Sequence, residues 1–257
     1  MLGAAFRTRL NPTETRDDCF HPRYRLWETD SFGELGADWQ VQLRELHDAH
    51  FLWHQGAPDE ATARQRLSML QRCSNVMVVG DDVGQASQSL PKVLEDRAIP
   101  CVRIPRLADP RSADGAPATL PYLSVATSST HDMPTVAGWW GSLSAADREL
   151  QWTLVGGKGG PPAVDGNRTV TAAVTSCYVA SLMRSPAMLA VFPMQDLLDT
   201  HASTASPDPS ADQINFPGEA ERSWRWRCAV DVEDAVHNVD FIGHVRSMVE
   251  AADRLIE

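Results

Sequence analysis

Apolar residues in this chain gather into short continuous runs, with no hairpin signal between them. "SNVMVVG" (74–80) is valine-rich, as expected of a strand buried on both faces. It leads through a loop into an amphipathic helix within "DDVGQASQSLPKVLEDRAI". "PCVRIPRL" (100–107) predicts a second strand, weakened by Pro105. "YLSVATSS" (122–129) predicts a third, followed by a helix from about Pro134. "TVTAAVTSCYVASLM" (169–183) alternates little and predicts a buried helix, and "AMLAVFPM" (187–194) predicts a fourth buried strand. Strands alternating with helices predict an α/β fold whose parallel sheet is joined by helical crossovers. Residues 1–73 differ: "ELGADWQVQLRELHDAHFLWHQ" and "DEATARQRLSMLQRC" predict helices joined by a turn at Gly56-Ala57-Pro58. "VGGKGGPPAVDGN" (155–167) and "THASTASPDPSADQ" (200–213) predict flexible loops, the second covering one end of the sheet.

Composition narrows the classes of function. The 257 residues are 43% hydrophobic, enough for one sizeable core or two small ones. Lys and Arg number 23 against 34 Asp and Glu, a formal charge of −11. That balance argues against binding a phosphate backbone, with Arg222-Ser223-Trp224-Arg225-Trp226-Arg227 as the one basic exception. Cysteines at 19, 73, 101, 177 and 228 contain no CxxC pair, which disfavours a zinc knuckle or a disulfide framework and predicts buried reduced thiols. No apolar run approaches the roughly 20 residues of a membrane span, and "MLGAAFRTRL" is too short in apolar residues for a secretory signal. The expected location is cytoplasmic, with neither nucleic acid nor membrane as partner.

Active sites of parallel sheets collect at the C-terminal strand tips. Three tips here are acidic: Gly80-Asp81-Asp82, Thr130-His131-Asp132 and Gln195-Asp196. Carboxylates about 5–5.5 Å apart perform retaining glycosidic chemistry, one as nucleophile and one as acid and then base. A third acid can orient sugar hydroxyls, and Asp81 and Asp132 are candidates for two of the three. Trp139 and Trp140 offer rings that could stack on sugars, although buried helix tryptophans are the commoner reason for such a pair. Competing patterns are weaker. His47, His50 and His54 share one helix face in the manner of zinc ligands, but no carboxylate joins them in register. "GGKGG" (156–160) lacks the Ser or Thr that follows a P-loop lysine. Ser128 or Ser129 near His131 has no GxSxG elbow.

"VVGDDVG", "SSTHDMPTVAGWW", "VFPMQDLL" and "INFPGEAERSWRWR" resemble, in that order, the successive motifs of the 4-α-glucanotransferases. These are the amylomaltase or disproportionating enzymes of glycoside hydrolase family 77. "CFHPRYRLWETDSFGEL" and the helices after it are similar to the plant-type cytosolic members, which handle maltose and branched glucans. The resemblance covers about residues 19–250. It implies the C-terminal half, strands five to eight, of a (β/α)8 TIM barrel (residues 74–257), preceded by a mostly helical insertion (residues 1–73). It also implies an acid/base at Asp81, a transition-state stabiliser at Asp132, sugar contacts from His131 and Asn215, and loop-anchoring roles for Trp224 and Arg227. The implied activity is transfer of α-1,4-glucosyl segments between glucans, maltose or maltooligosaccharides, or to glucose, with no cofactor and no metal.

Two departures qualify what the resemblance implies. The family acid/base is glutamate, whereas Asp81 is one methylene shorter, about 1.5 Å, and a displacement of roughly 1 Å can cost about 100-fold in rate. The family nucleophile is an aspartate on the fourth strand, and no matching motif precedes residue 74. "LHDAH" (46–50) reverses the order of that motif and lies in a predicted helix. The expectation is a catalytic half that needs the missing N-terminal barrel half as a partner. The alternative is a non-catalytic remnant that binds glucan or a protein partner. Half a barrel has bare edges at its first and last strands, which favour self-association.

Overall fold

The computed structural model describes residues 26–49, 57–81, 90–108, 110, 112, 115–162 and 168–255. Contacts divide these into two units, one from 26–78 with 90–97 and one from 79–81 with 98–255. In the first unit, α1 (Asp30–Gly33) and α2 (Ala37–Asp48) precede α3 (Ala57–Cys73) and α4 (Leu90–Asp96). Ala57 lies inside α3 and not in a turn. Val93 and Leu94 are the buried positions of α4. Arg64 ties α3 to α4 by donating to Asp96 at 2.9 Å. His47 is buried edge-on against Trp27, with centroids 4.7 Å apart, and so packs as a core histidine. His50 and His54 lie outside the described residues, and no metal-ligating cluster occurs among those described.

The second unit holds a parallel sheet of β1 (Cys101–Arg103), β2 (Ser124–Ala126) and β3 (Leu189–Ala190), in that spatial order. Val102 faces Val125, and Val125 faces Leu189. β1 is cut short because Pro105 begins a 3-10 turn over Pro105–Leu107. The 74–80 run departs most from expectation. It contributes a single parallel bridge, Gly80 to Cys101, and Val76 and Val79 are 73% and 39% exposed. A parallel strand is buried on both faces only when covered on both sides, and 74–80 is not so covered among the described residues.

Helices follow the sheet in the predicted order: α5 (Val136–Ser142) and α6 (Ala145–Leu154) after β2, then α7 (Arg168–Met183) before β3. α8 (Met194–Leu198), α9 (Val232–His237) and α10 (Val239–Ala251) come after it. Ser144 caps α6 by accepting from Asp147 N–H at 3.2 Å, and Asn238 caps α10 by accepting from Phe241 N–H at 3.0 Å. α7 buries Thr175, Tyr178, Val179 and Leu182, a helical stripe facing the sheet-side core. Trp140, Trp152, Val136, Ala126 and Leu120 complete that core. The Trp139–Trp140 pair is thereby explained by packing: Trp140 is in the core, and Trp139 lies edge-on to Tyr178 at 5.7 Å. The "GGKGG" stretch is fitted to the same core. A Cβ on Gly157 would lie 2.2 Å from the Trp152 ring, so only glycine allows this approach.

The 200–213 stretch is built rather than loose. Thr200, Thr204 and Ala205 are buried, and Pro209–Asp212 forms a 3-10 turn that packs on α5. Four cysteines fall among the described residues, and none is in a disulfide. Only Cys101 is buried, whereas Cys73 and Cys228 are exposed, contrary to the expectation of buried thiols throughout. No described helix is long and apolar enough to cross a membrane.

Arg254 closes the turn between α7 and β3. Its guanidinium donates to the carbonyls of Met183 (2.5 Å), Ser185 (2.9 Å), Ala187 (2.6 Å) and Met188 (3.3 Å). Charged donors on helix-end carbonyls are among the stronger hydrogen bonds. Arg254→Met is expected to lower the unfolding free energy by about 2 kcal/mol or more in urea titration. A loss within about 0.5 kcal/mol, ordinary for a surface change, would remove Arg254 from this role.

Candidate active site

A parallel sheet sends all its strands' C-terminal ends the same way, so the acidic tips share one end of the second unit. Asp81 follows directly on Gly80, whose N–H donates to Pro100 O and whose carbonyl accepts from Val102 N–H, each at 2.8 Å. Asp81 is exposed at that end. Asp82 lies outside the described residues.

The segment after β2 is the most tightly built part of the site. Ser128 and Ser129 are buried, and both donate to Asp196 Oδ2, at 2.5 and 2.8 Å. Asp196 Oδ1 accepts from Val136 N–H, the first residue of α5, at 2.8 Å. This carboxylate is fully buried, so its three donors offset a desolvation that would otherwise be prohibitive. Arg106 grips the same segment from β1's side, donating to Pro134 O at 2.5 Å and Thr135 O at 3.3 Å, with its guanidinium 5.2 Å from the Trp139 ring centroid. Burial lowers the Arg106 pKa and raises that of the neighbouring Tyr178 phenol. Between the two clamps, Thr130-His131-Asp132 turns outward.

His131 and Asp132 are half exposed, with Nε2 and Oδ1 3.3 Å apart. Asn215 approaches from the segment after α8. Its amide Nδ2 donates to Asp132 Oδ1, and its backbone N–H donates to His131 O at 3.0 Å. Three of the four site residues expected from sequence are thus in contact, and Asp81 stands apart from them. Gly80 pairs with β1 and β1 with β2, so Asp81 follows a segment that β1 separates from the strand leading into the 130–132 turn.

The roles expected of Trp224 and Arg227 are corrected. Trp226 anchors the loop, its indole N–H donating to Asp212 Oδ1 at 2.9 Å. Ser223 is the second anchor, buried and bonded to Phe216 N–H and to the carbonyls of Phe216 and Glu219. Trp224 is 65% exposed, its ring 5.1 Å from that of His131. Arg227 is exposed and donates only to the adjacent Trp226 carbonyl among the described residues. A Trp-x-Trp pair does not reveal from sequence which ring faces inward. Asp196 was legible only as a strand-tip acid, because its partners lie 60 to 68 residues away.

Fold and site together define an α/β protein whose parallel sheet carries acids and a histidine at its C-terminal strand ends. A sequence profile described as 4-alpha-glucanotransferase, glycoside hydrolase 77, matches residues 23–232, and the chain belongs to that family. It is 25% identical to the 4-alpha-glucanotransferase DPE2 of Oryza sativa subsp. japonica over 236 residues, 91% of this chain and 24% of the rice protein. It is 29% identical to the 4-alpha-glucanotransferase of Chlamydia trachomatis serovar D over 82% of this chain and 36% of the bacterial one. The chain therefore spans about a quarter to a little over a third of these curated relatives. Its fold is shared with the amylomaltase from Streptococcus agalactiae in complex with acarbose, with a TM-score of 0.57 at 17% identity, over 73% of this chain and 34% of that one.

Asp199, three residues beyond Asp196, is held quite differently. It is buried, its Oδ1 accepts from Ser206 N–H at 2.8 Å, and its Oδ2 has no hydrogen-bond partner among the described residues. Burial pushes its carboxyl up to about 7 from 3.8; the nearby charges of Asp212 and Asp196 add to the rise, and the Ser206 hydrogen bond opposes it. A raised acid binds its proton more tightly folded than unfolded, so its stabilising contribution is complete below 3.8 and is lost as pH rises through about 7. Asp199→Asn keeps an oxygen for Ser206. It is expected to raise stability by roughly 1–3 kcal/mol near about pH 8 and to change it little near about pH 4. Thermal melts of both proteins across that range check the sign, and equal melting at all pH values would contradict it.

Proposed function

We propose that this chain is the strand-five-to-eight portion of a plant-type 4-α-glucanotransferase barrel. Joined to the complementary N-terminal half, it transfers α-1,4-glucosyl segments between maltooligosaccharides or glucans, or to glucose. The observation that carries this reading is the 128–136 segment. In a chain of this family, Asp196 and Arg106 clamp its base and Asn215 braces the Asp132 carboxylate that it projects. Asp132 stabilises the positive charge that develops on the sugar, and His131 contacts the same ring. Asp81 protonates the departing glycosidic oxygen, then deprotonates the acceptor hydroxyl. The glycosyl group rests meanwhile on a carboxylate supplied by the other half.

Among the described residues Gly80 pairs with Cys101 alone, which supports that division of labour. Asp81 and Asp132 follow chain segments that β1 separates, whereas the carboxylates of a retaining pair stand about 5 Å apart. A strand added beside Gly80, one spacing away, would bring its tip carboxylate within that range of Asp81. The exposed thiols of Cys73 and Cys228 fit a reducing, cytoplasmic compartment. One observation favours the alternative of a non-catalytic remnant, namely the shortened Asp81 side chain at the acid/base position.

The test is co-expression with the N-terminal portion of a full-length relative, assayed by disproportionation of maltotriose. Reconstituted activity is expected, with Asp132→Asn abolishing it through kcat more than through binding. Asp81→Glu is expected to raise it by about tenfold or more. No activity with either aspartate or glutamate at position 81 would favour the remnant. Turnover by the unassisted chain would show that an internal carboxylate serves as nucleophile, and would overturn the half-barrel reading.

A further inference from the structure

Trp224 combines three properties that packing does not explain. Its indole is 65% exposed, its backbone sits at φ +60°, and its ring lies 5.1 Å from the His131 ring with 36° between their planes. A left-handed conformation at a bulky residue is a steric outlier that persists only where its surroundings enforce it. Here the enforcement is visible. Trp224 N–H donates to Ile214 O at 2.7 Å, one residue before Asn215, while Ser223 and Trp226 fix the loop on either side. The loop is therefore held without the Trp224 ring. The strained backbone holds that ring in solvent beside His131, which itself touches Asp132 and Asn215.

We infer that Trp224 is a glucosyl-stacking platform, taking the apolar C–H face of one glucose ring of an α-1,4-linked chain. This rests on the glucan reading of the site and adds a residue to it. A pyranose ring presents C–H groups on its faces and hydroxyls around its rim, so it needs a flat apolar surface flanked by polar groups. An indole gives the first, as a ring apolar in body and wet at one edge. His131, Asp132 and Asn215 give the second, with a half-exposed imidazole and carboxylate for the rim hydroxyls. A stacking role also accounts for the exposure, since a ring buried by its own protein could not receive a sugar.

Binding of maltoheptaose to the unassisted chain, followed by calorimetry, tests the inference with Trp224→Ala, Trp224→Phe and Trp224→Gly alongside the unsubstituted protein. Expected are a rise in Kd of about tenfold for W224A and W224G, equivalent to about 1.4 kcal/mol, and a rise of less than about threefold for W224F, which keeps a stacking ring. The melting temperature should stay level in W224A and rise in W224G, because glycine accepts the positive φ. Unchanged affinity in W224A and W224G overturns the Trp224 assignment and leaves the glucan reading standing. A melting temperature lowered in both, with binding lost, makes Trp224 a structural residue and overturns the assignment too. A folded, unsubstituted chain that binds no maltoheptaose at millimolar concentration sinks the glucan-binding reading and the platform with it.

Discussion

The carboxylate of Asp196 is the contact on which the rest of this site depends. It is wholly buried, and two serine hydroxyls and the first amide of α5 converge on it. A charge in that position is tolerated only because all three donors point at it. The converse also holds. Removing it would leave Ser128, Ser129 and the Val136 amide without their acceptor in a buried place. The segment between those donors carries Thr130-His131-Asp132. One interaction thus joins the end of β3 to the end of β2 and sets where the reactive-looking turn begins and stops. Arg106 adds a second hold on the Pro134 and Thr135 carbonyls, and Asn215 adds a third at the Asp132 side chain.

Much of this architecture was legible in the sequence, for definite reasons. Short valine-rich runs separated by helical stretches specify parallel strands with crossovers, and β1, β2 and β3 all fall inside the runs expected of them. Position at a strand tip singled out His131 and Asp132, the family resemblance added Asn215, and the three meet in space. Other features depend on neighbours that no local pattern reveals. The 74–80 run has the composition of an inner strand, yet Val79 is partly solvated because a single bridge from Gly80 is the only pairing of that run among the described residues. Trp224 and Trp226 are alike in sequence, and which ring finds Asp212 depends on a turn fourteen residues earlier. The Ser/Pro-rich 200–213 stretch has a loop's composition, but a buried Asp199 and a 3-10 turn packed on α5 give it fixed structure.

The relation between stability and function runs in two directions across this unit. Asp196 and Arg254 are charges fully committed to donors or acceptors, and they support the frame. Asp199 and Trp224 each keep an unfavourable feature, a half-partnered carboxylate in one case and a left-handed backbone in the other. The second lies at the site and the first within a few residues of the carboxylate that anchors it, where strain of this kind tends to concentrate. A family member that spans a quarter to about a third of its relatives can therefore still carry an organised part of the site.

Amide hydrogen exchange on Asp196→Ala, compared with the unsubstituted chain, measures this organisation most directly. If Asp196 pins the turn, the Val136 amide should exchange on the order of 100-fold faster in the variant, as befits loss of a buried charged acceptor. The amides of Thr175 to Leu182 in α7, which share the apolar core with Val136 but give Asp196 no hydrogen bond among the described residues, should change far less. Unaltered protection at Val136 would contradict the account, and so would an equal loss along α7, which would make Asp196 a support of the whole unit and not of the turn.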